Sequence, residues 1–163
     1  MSVVAARICG PVIEIAADSI ILKGSLKRTP NFSKLRQFPD ITIGGVGVAE
    51  ELSIFFEFAE EHTPESATVK GIRKYMADFL EYAAEYIAEP VVENSYLIIF
   101  KGKLFEVDNM FIQEIQDYTS IGEGEHYALA AMHLGESAER AIKTSCELCC
   151  LTSEPIVYYI IER

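Results

Sequence analysis

Segments with strand-like and helix-like hydrophobic patterns follow one another in blocks along this 163-residue chain. β-prone stretches come first, two amphipathic helices follow, and the same order of strands and then two helices is repeated before a last strand. The predicted strands are residues 2–8, 12–16, 32–38, 41–46, 95–101, 103–107, 111–115 and 156–161. Strand blocks that alternate with helix blocks predict an α+β fold in which helices cover the faces of the sheets.

Apolar residues at spacings of three and four predict the helices. Thr63, Pro64 and Glu65 are typical of a helix start, with a capping side chain, proline at the first position and an acid in the first turn. The predicted helices are residues 48–62, 64–88, 122–134 and 137–151. A loop that contains Gly24 and Pro30 precedes the 32–38 segment. No linker or repeat divides the chain, so residues 1–163 are predicted to form one domain.

The charge balance excludes several classes of partner. Fourteen Lys and Arg residues stand against 25 Asp and Glu residues, which gives a net charge of −11. Nucleic acids and anionic membranes are bound mainly through positive charge, so neither is expected as a partner. No apolar run reaches the ~18 residues that a membrane-spanning helix needs, and no secretory signal is recognisable. The sequence therefore predicts a cytoplasmic protein.

Three of the four cysteines lie within five residues, at Cys146, Cys149 and Cys150. The spacing of Cys146 and Cys149 occurs in redox dithiols and in half of a zinc site. None of the three histidines is placed to complete a set of zinc ligands. Because the stretch has the pattern of an amphipathic helix, the favoured interpretation is that these cysteines are small core residues.

Several motifs resemble the proteasome β-subunit superfamily, and in particular its bacterial relative, the HslV peptidase. The stretch SIGEGEHYA at residues 120–128 resembles the family pattern A-I-G-S-G-G-x-Y-A, and NFSKLR at 31–36 resembles N-V-K-K-V-R. IGGVG at 43–47 resembles I-A-G-F-A-G, and residues 51–59 resemble the helix that follows it in the family. Residues 148–153 resemble I-C-I-Y-T-N, so the likeness extends along nearly the whole chain.

The resemblance implies a four-layer αββα sandwich and the chemistry of N-terminal nucleophile hydrolases, which need no cofactor. In that chemistry the hydroxyl of the first mature residue attacks an amide carbonyl, and its own α-amine is the general base. Met1 has no hydroxyl, so the resemblance makes Ser2 the nucleophile after removal of Met1. The family has an Asp 16 residues and a Lys 32 residues after its nucleophile, and Asp18 and Lys34 occupy those positions here.

The resemblance also assigns supporting roles. The backbone N–H of Gly45 or Gly47 would form the oxyanion hole. Glu123 stands where the family has a serine that supports the nucleophile, and its carboxylate would accept a hydrogen bond from the α-amine or hold that amine protonated. Backbone carbonyls at Cys146, Cys149 and Thr152 match positions that bind a cation in the family.

Two functions remain open from the sequence. One is a peptidase in a homo-oligomeric ring, as in the family, that acts on peptide or protein substrates. The chain carries no Walker-type phosphate loop, so any ATPase unfoldase would be a separate protein. The other is an inactive homologue that serves as an assembly or binding module. The presence or absence of Met1 distinguishes them, because an attached Met1 leaves Ser2 without a free amine.

Overall fold

The computed structural model describes residues 2–23, 26–28 and 32–163. Met1 and the predicted loop positions Gly24 and Pro30 lie outside the described residues. The strands are β1 (Val4–Cys9), β2 (Val12–Ala17), β3 (Ile21–Lys23), β4 (Leu26–Arg28), β5 (Leu35–Gln37), β6 (Ile41–Val46), β7 (Ser95–Phe100), β8 (Lys103–Asp108), β9 (Phe111–Ile115), β10 (Tyr118–Ile121) and β11 (Val157–Glu162). The helices are α1 (Ala49–Glu61), α2 (Val69–Ala83), α3 (Glu125–His133) and α4 (Ala138–Leu148).

The strands form two main sheets, both with antiparallel neighbours. One sheet has the order β10-β1-β2-β11, with Val4 opposite Ile121 on one side and Ala17 on the other. The other has the order β5-β6-β7-β8-β9, in which Ile41 pairs with Phe100. A separate two-stranded ribbon joins β3 to β4. Because β1 and β2 are central in the first sheet, Ser2 and Val3, which lead into β1, are buried in the interior of the molecule.

The alternation of side chains along β1 shows how the layers are built. Val4 and Ala6 lie between the two sheets, in a core shared with Leu97 and Ile99 of β7. Val3 and Ala5 face the opposite side and pack with residues of α3 and α4. Successive residues of a strand point to opposite faces, so an apolar run that is buried on both sides is expected here.

A second pair of helices covers the outer face of the five-stranded sheet. Phe55 of α1 is fully buried and contacts the rings of Phe79 in α2 and Tyr96 in β7, each with centroids 4.6 Å apart. The layers therefore run helix, sheet, sheet, helix. This arrangement confirms the predicted four-layer αββα sandwich and the α+β class. None of the described helices is long and apolar enough to span a membrane.

Some predicted boundaries were wrong. The helix predicted from residue 64 begins at Val69, because the Thr68 side chain caps it by accepting the Gly71 N–H at 3.0 Å. The predicted strand 32–38 is reduced to Leu35–Gln37. The helix predicted over 137–151 ends at Leu148, and the one predicted from residue 122 begins at Glu125. The strands β3, β4 and β10 were not predicted, since each is three or four residues long and gives little periodic signal.

Candidate active site

Asp18 lies at the centre of the buried polar groups near the chain start. Its side chain is fully buried just after β2, and Oδ1 accepts the Val3 N–H at 2.9 Å and the Lys34 ammonium at 2.7 Å. Its Oδ2 accepts the backbone N–H groups of Ile20 at 3.2 Å and Ser153 at 3.3 Å. Four donors on one carboxylate satisfy a group that would otherwise be costly to bury. Asp18 therefore ties together the chain start, β2, Lys34 and the segment before β11.

Lys34 reaches this carboxylate from the segment that precedes β5, and only 5% of its side chain is exposed. Burial lowers the pKa of Lys34 below its usual value, while the charge and hydrogen bond of Asp18 oppose that shift. The Lys34 carbonyl accepts the Gly45 N–H at 2.9 Å. That N–H is consequently engaged within the protein, which leaves Gly47 as the better placed of the two candidate oxyanion donors.

Ser2 is held by its backbone next to the turn that follows β10. Its carbonyl accepts the Gly124 N–H at 3.3 Å, and the residue is 4% exposed. Gly122 has φ +97°, and a Cβ there would lie 2.4 Å from the Ser2 carbonyl oxygen. Position 122 consequently needs glycine both for its backbone conformation and for the approach of Ser2.

Four of the predicted site residues line one cleft of about 240 Å³: Ser2, Lys34, Gly45 and Gly47. The remaining wall is apolar and is formed by Ile20, Ile21, Phe32, Val48, Ala49 and Leu52. Asp18 lies behind Lys34, to which it is bonded. The spacing of 16 and 32 residues after Ser2 thus corresponds to side chains that the fold brings together.

The other predicted positions lie around this centre. Glu123 is exposed in the turn before α3 and lines a neighbouring cavity with Gly47, and its predicted contact with the α-amine stays a prediction. Cys146 lies in α4, and the Cys149 carbonyl already accepts both the N–H and the hydroxyl of Thr152, each at 3.3 Å. A cation on that carbonyl would compete with these bonds, so the cation site also stays a prediction.

The cysteines are free thiols. Burial raises the pKa of the Cys146 thiol to about 11, which keeps it protonated and disfavours a reactive dithiol. Cys146 packs against the core below α3 and α4, as predicted for a small core residue, whereas Cys150 is exposed. Within the described ranges no three His, Cys, Asp or Glu side chains are grouped as metal ligands.

Sequence reasoning missed Asn94 and Glu51, which hold one wall of the cleft. Asn94 precedes β7, and its side chain bonds to both backbone groups of Val48. It accepts the Val48 N–H at 2.5 Å and donates to the Val48 carbonyl at 2.9 Å. Glu51 in α1 accepts the hydroxyl of Tyr96 at 2.7 Å and the backbone N–H of Asn94. No motif links residues 48 and 94 in the sequence, so only their packing could identify this contact.

The buried Glu51 carboxyl makes stability depend on pH. Burial raises the pKa of Glu51, against the opposing effect of its hydrogen bonds from Tyr96, Glu93 and Asn94. The folded state then binds the Glu51 proton more tightly than the unfolded state, so this contribution to stability is complete below the ordinary pKa and is lost as pH rises through the raised one. Glu51→Gln should lack this component.

Urea unfolding of both proteins between pH 4 and 8 measures that difference. We expect the free energy of unfolding of the original protein, relative to that of Glu51→Gln, to decrease from acid towards neutral pH. A difference that is constant over this range would contradict the raised pKa.

No family model and no curated protein matches this chain in sequence. Solved structures do match. The complex of Thiobacillus denitrificans BPH with epoxomicin has a TM-score of 0.88 at 21% identity, over 98% of each chain. Eukaryotic HslV from Trypanosoma brucei has a TM-score of 0.71 at 16% identity, over 99% of each chain.

Anbu, the ancestral β-subunit, from Yersinia bercovieri has a TM-score of 0.75 at 16% identity, over 98% of this chain and 81% of its own. These proteins are members of the proteasome-like superfamily of N-terminal nucleophile hydrolases. The backbone correspondence extends over almost the whole of this chain, although few residues are identical. This chain has the fold of the proteasome-like N-terminal nucleophile hydrolases, as the resemblance of its sequence motifs predicts.

Proposed function

We propose that this protein is an N-terminal nucleophile peptidase in which the Ser2 hydroxyl attacks the peptide carbonyl after Met1 has been removed. The observation that carries the proposal is the cleft shared by Ser2, Lys34 and Gly47, with Asp18 bonded to Lys34 and to the Val3 N–H. A hydroxyl at the chain start, a buried ammonium and a backbone donor are the groups that this reaction needs.

The proposed reaction needs only groups of this chain and water. The free α-amine of Ser2, with an ordinary pKa of about 7.7–8.0, accepts the hydroxyl proton as the oxygen bonds to the peptide carbonyl carbon. The Lys34 charge disfavours a second positive charge close by, which favours the neutral, basic amine. The C–N bond then breaks, the α-amine returns its proton to the leaving amine, and water hydrolyses the ester left on Ser2.

The cleft supports a preference for apolar side chains. Its wall combines isoleucine, phenylalanine, valine, alanine and leucine side chains around the polar groups at Ser2 and Lys34. Burial of an apolar side chain there would be favourable in proportion to the area removed from water. We therefore propose peptide or protein substrates with an apolar residue before the bond that is cleaved.

The family resemblance supports assembly into a homo-oligomeric ring, with any ATPase unfoldase as a separate partner. Large apolar side chains are exposed at Phe111, Leu134 and Leu148, and contacts between copies would cover such groups. The same proposal places Glu123 beside the α-amine and a structural cation near Thr152. It also places the protein in the cytoplasm. Analytical ultracentrifugation of protein that begins at Ser2 measures the size of this assembly.

The state of the N-terminus tests the proposed function. Protein released from a cleavable N-terminal fusion so that it begins at Ser2 should hydrolyse fluorogenic peptides with an apolar residue before the reporter group. Epoxomicin, which the Thiobacillus structure contains, should react with this protein and increase its intact mass. The matched control retains Met1, which converts the Ser2 amine into an amide that cannot act as a base.

The two proteins differ by one residue, so the comparison isolates the free amine. Hydrolysis and epoxomicin labelling only in the protein that begins at Ser2 are the expected results. An inert protein with a verified free Ser2 would contradict the peptidase proposal and favour the assembly or binding module. Equal activity in both proteins would show that the free Ser2 amine is not the general base.

A further inference from the structure

Asn94 makes an unusually complete contact with the wall of the cleft. The residue is 1% exposed, its Oδ1 accepts the Val48 N–H at 2.5 Å, and its Nδ2 donates to the Val48 carbonyl at 2.9 Å. One side chain therefore binds both backbone groups of a residue that lies 46 positions earlier. Such a paired contact fixes the orientation of the peptide units on both sides of Val48.

Gly47, the residue before this contact, has a backbone that only glycine accommodates. Its φ is +131°, and a Cβ at this position would lie 2.0 Å from Asn94 Oδ1 and 2.6 Å from Asn94 Cγ. Glycine at position 47 thus permits both the backbone conformation and the close approach of Asn94. Gly47 also lines the cleft beside Ser2. Its N–H donates to no backbone carbonyl of the described residues.

Glu51 holds Asn94 from the other side. Its carboxylate, in the first turn of α1, accepts the Asn94 N–H at 3.2 Å, the Glu93 N–H at 3.1 Å and the Tyr96 hydroxyl at 2.7 Å. The start of α1 and the residues leading into β7 are consequently bonded in both directions. Glu51 fixes the backbone of Asn94, and Asn94 fixes the backbone of Val48.

We propose that Asn94 is a positioning residue that holds the Gly47–Val48 corner so that the Gly47 N–H meets the oxyanion formed at the reacting carbonyl. This inference rests on the proposed peptidase function. A backbone donor stabilises the transition state when its direction is set before the reaction begins. In this arrangement Asn94 acts on the reaction through the peptide of Val48.

The first test is Asn94→Ala in protein that begins at Ser2. We expect kcat for an apolar fluorogenic peptide to fall about 10- to 100-fold with KM changed less than about threefold, because the donor is lost mainly from the transition state. Asn94→Asp keeps the size of the side chain and the acceptor for the Val48 N–H, but it sets a buried carboxylate oxygen against the Val48 carbonyl, so it should lose activity as well.

Thr119→Val is the matched control. Thr119 is a buried residue of β10 that donates its hydroxyl to the Glu106 carboxylate, and neither residue is among those that line the cleft. Thr119→Val also removes a partly buried side-chain hydrogen bond, so the melting temperature of this variant should fall while its kcat stays near that of the original protein. If lower stability alone caused the loss of activity in Asn94→Ala, then Thr119→Val would lose activity as well.

Amide hydrogen exchange measured by NMR tests the contact without any activity. The Val48 N–H should exchange slowly in the original protein and much faster in Asn94→Ala. An active original protein whose kcat is unchanged in Asn94→Ala overturns the inference alone. A protein with a free Ser2 that is inert overturns the proposed function and with it the catalytic role of Asn94, whatever the protection of Val48.

Discussion

Replacing Ser2 by alanine, in protein without Met1, is expected to lower kcat/KM by on the order of 10³-fold or more. The alanine protein keeps the α-amine, the Asp18–Lys34 pair and the cleft, but it has no oxygen to attack the carbonyl. The bond from the Gly124 N–H to the carbonyl of residue 2 is kept in the variant, because it involves only the backbone. Steady-state hydrolysis of an apolar fluorogenic peptide measures the change.

Ser2→Thr is the control for this result. Threonine keeps the hydroxyl and the α-amine on the same residue, so we expect activity within about tenfold of the original and labelling by epoxomicin. Ser2→Ala should not be labelled. Hydrolysis by Ser2→Ala at the rate of the original protein would contradict the assignment of Ser2 as the nucleophile.

Replacing Asp18 by alanine should have the largest effect on stability among the site variants, about 3–5 kcal/mol in the free energy of unfolding. The buried Lys34 ammonium would lose its partner, and the N–H groups of Val3, Ile20 and Ser153 would lose their acceptor. Removal of one member of a buried ion pair is costly because the remaining charge is left uncompensated. Urea unfolding monitored by circular dichroism measures the change.

The matching experiment is a double-mutant cycle of Asp18→Ala with Lys34→Met. Methionine has nearly the length of lysine without its charge, so the double variant should be less destabilised than the sum of the two single variants. The exposed pair Lys74–Asp78 offers a comparison, and Asp78→Ala should change stability little. Asp18→Ala with the unfolding midpoint of the original protein would contradict the structural role of the pair.

The main features of the fold could be predicted from the sequence because they arise from short-range patterns. Val4 lies between the sheets and Val3 faces the helices because successive residues of a strand point to opposite faces. Phe55 packs against Phe79 of α2 because apolar residues three and four positions apart share one face of a helix. Weaker local patterns were misread: Thr68, not the Thr63–Pro64 pair, caps α2, because the side-chain geometry at the cap decides where a helix starts.

Part of the candidate site could likewise be predicted from the sequence, and part could not. The positions of Asp18 and Lys34 relative to Ser2 could be matched to a family pattern by counting residues, and the fold joins these two side chains at 2.7 Å. The choice of Gly47 over Gly45 could not be made in this way, since it depends on the bond from the Gly45 N–H to the Lys34 carbonyl.

The sequence by itself determined the strand and helix blocks and the spacing of the site residues, and the resemblance of its motifs to a family implied the four layers. Only the tertiary structure decided which backbone groups surround those residues. The Ser153 N–H reaches Asp18 across 135 residues, and Asn94 reaches Val48 across 46. Such contacts depend on how the layers pack together, and no local propensity of either residue encodes its distant partner.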